Sequence, residues 1–72
     1  MSDAKSRVRR VIQHKRTHLY LTVSGGWTSD LETAHQMPDV LCALRMSRSL
    51  ALTEVELVLK FEEGRYDVRL DL

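Results

Sequence analysis

The chain has 72 residues, a formal charge of +1, 43% hydrophobic and 29% charged residues, and so reads as one small soluble domain rather than a disordered segment. No apolar run approaches the roughly 20 residues of a membrane span, residues 1–16 lack the apolar core of a secretory signal, and the lone Cys42 excludes an internal disulfide, so no membrane contact and a cytoplasmic location are expected. At this length a single core only just outweighs chain entropy, which favours association with a second copy or a partner.

The net charge conceals a division. Lys5, Arg7, Arg9, Arg10, Lys15 and Arg16 against Asp3 give residues 1–16 a charge of +5, and the five bases and nine acids that follow give −4. The expected organisation is a basic N-terminal arm, 1–16, on a single domain, 17–72. Such an arm contacts nucleic acid or folds back on its own or a neighbouring subunit.

Within the arm, Ala4, Val8, Val11 and Ile12 have helical spacing, so a short amphipathic helix over 2–13 fits better than a frayed strand ending at His14-Lys15-Arg16. Thr17 to Ser24 alternates Leu19, Leu21 and Val23 with His18, Tyr20 and Thr22, the pattern of a strand. Two readings of Trp27 to Gln36 compete. A Ser24-Gly25-Gly26 loop would pair Val23 with Trp27 and Leu19 with Leu31 in a hairpin, the favoured reading, whereas Ser29 and Glu32 have capping-box spacing for a short helix.

Pro38 suits the first turn of the main helix, which is expected to run to about Ser49. Met37, Val40, Leu41 and Leu44 form its stripe, while Cys42, Ala43, Met46 and Leu50 spread apolar surface over the flank and back, more than one sheet covers. A deep groove or a subunit interface explains the excess.

The closing stretch is the most explicit. Val55, Leu57, Leu59 and Phe61 alternate with charged or polar positions, Glu63-Gly64 offers a turn, and Tyr66, Val68, Leu70 and Leu72 return. Folding about the turn pairs Phe61 with Tyr66, Leu59 with Val68, Leu57 with Leu70 and Val55 with Leu72. It sets Glu62 beside Arg65 and Lys60 beside Asp67, with Glu56 opposite Asp71 as the poor match. The expected fold is therefore α+β: a small antiparallel or mixed sheet of three to four strands, one main helix on one face, and a terminal β-hairpin.

Leu19-Tyr20-Leu21-Thr22-Val23, Gly26-Trp27-Thr28, Asp30 and Ala34, then Val55 to Phe61 and Arg65-Tyr66-Asp67-Val68, resemble a type of small uncharacterised bacterial protein associated with mobile elements and gene cassettes. The resemblance covers Leu19 to Leu72, implies a β-β-α-β-β order and a bacterial origin, and carries no functional residue.

Candidate chemistry is thin. His14 and His18 would converge on a metal only if helical, and with His35 and Cys42 they supply ligand types without a close pair, so no metal or cofactor is expected. Cys42 with His35 would form a nucleophile and base only if the thiol left its apolar helix. Trp27 offers stacking on a ligand, against the commoner role of closing a small core. Asp30, Glu32 and Asp39 fit helix starts better than acid–base pairs.

No enzyme constellation results. The expected function is a non-enzymatic, self-associating protein-interaction module, with Val40, Leu41, Leu44, Met46 and Leu50 and the exposed sheet positions Val58 and Tyr20 supplying core and contact surface. The alternative is a nucleic-acid-binding regulator using Lys5, Arg7, Arg9, Arg10, Lys15 and Arg16.

Overall fold

The structure, a computed structural model, describes residues 8–61 and 67–72. In chain order it contains β1 (Val8–His14), β2 (Tyr20–Leu21), β3 (Trp27–Thr28), α1 (Val40–Ser49), β4 (Val55–Phe61) and β5 (Asp67–Asp71). The strands form one antiparallel sheet in the order β3-β2-β1-β4-β5, and α1 packs against β1 and β4. The α+β class with one helix on a sheet is as expected from the sequence; the sheet has five strands instead of three to four.

The largest correction concerns the basic arm. Residues 8–14 are not helical but form the middle strand of the sheet, paired with β4 along their whole length from Val8 opposite Phe61 to His14 opposite Val55. Covering on both sides explains why the strand does not alternate. Ile12 belongs to the cluster under the helix with Leu21, Met37, Ala43, Val55 and Leu57, whereas Val11 packs with Val58 and Ala34 on the opposite face, beside Tyr20 and Leu31. Val58, expected as an exposed sheet position, is fully buried there.

The helix is rotated from its expected setting. Its buried positions are Ala43 and Ser47, one turn apart, with Cys42 and Met46 packed beside them, so small side chains let the helix lie close to the sheet. Val40 and Leu41, expected in the buried stripe, are 44% and 55% exposed. Asp39, not Pro38, opens the helix: it is the N-cap, and its carboxylate accepts a 2.8 Å hydrogen bond from the Cys42 N–H.

Trp27 follows β2 in a hairpin, but two residues out of the expected register, with Leu21 opposite Trp27 and Tyr20 opposite Thr28. The loop is Val23-Ser24-Gly25. Gly25 N–H donates to Thr22 C=O (3.0 Å), Thr22 N–H donates to Gly26 C=O (2.9 Å), and Gly25 sits at φ 93°, the left-handed geometry of a three-residue hairpin loop.

Pairing of β4 with β5 follows the register read from the sequence: Leu57 with Leu70, Leu59 with Val68, Lys60 with Asp67 and Glu56 with Asp71. The expected partners Phe61–Tyr66 and Glu62–Arg65 and the Glu63-Gly64 turn involve residues outside those described, while Leu72 follows β5 and packs against the cluster that contains Val55.

Candidate functional site

On the sheet face away from α1, alternation aligns Arg9, Val11 and Gln13 of β1 with Lys60, Val58 and Glu56 of β4 and with Asp67, Arg69 and Asp71 of β5. A polar network spans these strands. Lys60 Nζ bonds Asp67 Oδ2 at 2.8 Å, and Arg69 Nη1 reaches Glu56 Oε2 at 2.6 Å and the buried Gln13 Oε1 at 2.7 Å. Gln13 is satisfied at its other end, donating through Nε2 to the His18 carbonyl (2.9 Å). The Glu56–Asp71 clash is relieved because Arg69 takes Glu56 and Lys15 takes Asp71 at 2.7 Å.

Among the described residues, most of the basic side chains are therefore already occupied. Arg9 pairs with Glu32 (2.8 Å), Lys15 with Asp71 and Arg16 with Glu54 (2.9 Å). The hydrogen bond that Lys15 donates to Asp71 raises the Lys15 pKa, and the one that Lys60 donates to Asp67 raises the Lys60 pKa, with Tyr20 a further contributor to Lys60. Lys5 and Arg7 lie outside the described residues. Among the described residues Arg10, on the helix side of β1, and Arg45 and Arg48 on α1 make no ion pair. The sequence alone gave no sign that Glu32, Glu54 and Asp71 would neutralise the stretch, because their placement depends on β1 joining the sheet.

The remaining candidates are dispersed. Trp27 is 37% exposed, and its ring and the His14 imidazole form a T-shaped pair with centroids 5.5 Å apart. His14 Nδ1 accepts from the Arg16 N–H (3.1 Å), which ties the imidazole into the turn after β1. His35 donates its backbone N–H to Leu21 C=O, and its Nδ1 is buried without a hydrogen-bond partner. Cys42 is half-buried against the core, and no hydrogen bond joins it to His35. Asp30 caps its own loop, accepting from the Glu32 N–H and the Thr33 hydroxyl. No group of three or more His, Cys, Asp or Glu side chains converges as metal ligands among the described residues, nor is any described helix long and apolar enough to cross a membrane.

Of the expected contact residues, Met46 packs into the core, Tyr20 against the second cluster, and Leu44 is half-buried. Val40, Leu41 and Leu50 face solvent, as do Phe61 and Leu70 at the β4–β5 side of the sheet. Comparison with family models, curated proteins and solved structures gives no match.

Proposed function

We propose that this protein is a non-enzymatic interaction module that associates with copies of itself. The supporting observation is the exposed apolar surface: Leu50 at 45% and Leu70 at 39% exposure stand on a fold too small to leave much of its apolar area in water without loss. The dispersed His35, Cys42, Trp27 and acidic residues supply no nucleophile, base and electrostatic stabiliser in reach of one another. The resemblance to cassette-encoded bacterial proteins accords with this reading but contributes no residue to it.

The rival reading, nucleic-acid binding by the basic stretch, is less well supported. Arg9, Lys15 and Arg16 would each have to leave a carboxylate to reach a phosphate. Sedimentation over a range of concentrations tests both: a mass rising above the monomer without absorbance from nucleic acid supports self-association, and a constant monomer mass overturns it. A nucleic-acid complex whose affinity falls steeply with salt would favour the rival.

A further inference from the structure

The phase of the backbone hydrogen bonds across the sheet can be followed strand by strand. His14 N–H donates to Leu19 C=O and Arg10 C=O accepts from Met37 N–H, so these residues turn their backbone groups away from β4, whereas Lys15 N–H donates to Glu54 C=O and points towards it. Alternation then makes Val11–Val58 and Gln13–Glu56 hydrogen-bonded pairs, and directs Leu57 and Leu59 of β4 towards Leu70 and Val68 of β5. Asp67, Arg69 and Asp71 are left with N–H and C=O groups facing outward along the edge of the sheet, beyond which no strand lies among the described residues.

An open edge is a template for another strand, and charges on it usually repel that strand. Here the charges alternate in sign, −, +, −, along β5. For a second copy paired antiparallel, outward backbone groups must meet outward groups, which forbids every register placing a charged residue opposite Val68 or Leu70. Placing Arg69 opposite itself sets Asp67 against Asp71 and is repulsive throughout. Shifting by two residues brings Arg69 of each copy opposite Asp71 of the other, Leu70 opposite Leu70 and Val68 opposite Leu72. The opposite shift also sets Asp67 opposite Arg69, but it centres on the half-buried Val68 and not on Leu70, the exposed apolar residue of β5. The outer face of α1 offers no such match: Leu41, Arg45 and Arg48 share it at one- and two-turn spacing, and two copies laid face to face would bring cation onto cation.

We propose that β5 pairs antiparallel with β5 of a second copy, with Leu70 opposite Leu70 and Arg69 of each copy opposite Asp71 of the other, extending the sheet through the dimer; the opposed charges attract across the junction while Arg69 keeps Glu56 and Gln13, and Asp71 keeps Lys15, within each copy. This rests on the self-association reading above and names its surface. The apolar row Val68, Leu70 and Leu72 becomes continuous between copies on the helix side, and the charge network becomes continuous on the other.

Cysteine trapping tests the register. In a Cys42→Ser background, Leu70→Cys should oxidise to a covalent dimer, because opposed residues of a non-hydrogen-bonded pair lie about 4.5 Å apart at Cα, within disulfide reach. Val68→Cys should stay monomeric under the same conditions. The reverse result would overturn the register. A charge swap provides the second test: Arg69→Asp alone and Asp71→Arg alone should each weaken association roughly tenfold or more by like-charge contact, and an equimolar mixture should restore it as a heterodimer. Asp71→Arg removes only an exposed ion pair, so unfolding does not mimic its result; Arg69→Asp also takes the partner from Gln13 and Glu56, so a retained cooperative thermal transition is required of it before mixing. If the parent chain associates but neither trapping nor mixing behaves this way, the β5 proposal fails while self-association stands; a parent that is monomeric throughout defeats both.

Discussion

Lys60 and Asp67 face each other across β4 and β5 with Nζ 2.8 Å from Oδ2, and their side chains are only 24% and 27% exposed. This pair fastens β5, beyond which no strand lies among the described residues. Removing the cation by Lys60→Met leaves Asp67 with only the 3.9 Å contact to Arg69. The expected loss is about 1 kcal/mol in urea denaturation at neutral pH. The hydrogen bond raises the folded pKa of Lys60 above its unfolded value, so the stabilisation is complete below the ordinary lysine pKa and disappears as pH rises through the folded one. The gap between parent and variant should accordingly narrow in strongly alkaline buffer; an unchanged gap would assign the loss to packing alone.

Deleting residues 1–16 should unfold the domain, because it removes the strand lying between β2 and β4 together with the buried Val11 and Ile12. Circular dichroism and thermal denaturation decide the matter. A cooperative transition like that of the full chain would mean that the basic stretch is dispensable to the fold.

How far the sequence discloses this arrangement depends on burial. Between β4 and β5 the pairs Leu59–Val68 and Lys60–Asp67 are readable because apolar and charged residues alternate in step on two neighbouring strands. β1 is opaque for the opposite reason: Val11 and Ile12 are adjacent and both fully buried, one on each face, so a central strand reads as an irregular helix. On α1, apolar residues encircle most of the axis, and hydrophobicity alone does not choose a face. Close approach does, selecting Ala43 and Ser47 over the larger Val40 and Leu41. The self-complementary charges of Arg69 and Asp71 are present in the sequence but acquire meaning only once β5 is known to be an edge.

Two local substitutions probe the turn and the cap. Gly25→Ala meets no atom within 4 Å, so its expected destabilisation of about 1 kcal/mol comes from the 93° φ and not from a clash. Asp39→Ala removes the cap on the Cys42 N–H and should cost about 1 kcal/mol. Denaturation midpoints within error of the parent would refute the corresponding backbone role.

Leu41→Glu separates the helix face from the edge. Leu41 is 55% exposed, so stability should change by less than about 0.5 kcal/mol. Its new carboxylate lies near Arg45 and Arg48 and away from β5, so association should persist. Loss of the oligomer in this variant would move the self-interface to the helix.

The decisive first experiment is sedimentation equilibrium of the full chain across a wide concentration range, with absorbance followed at both protein and nucleic-acid wavelengths. A reversible monomer–dimer equilibrium free of nucleic acid is the expected result. A monomer at every concentration, or a larger species that forms only when nucleic acid is bound, would refute self-association as the function of this fold.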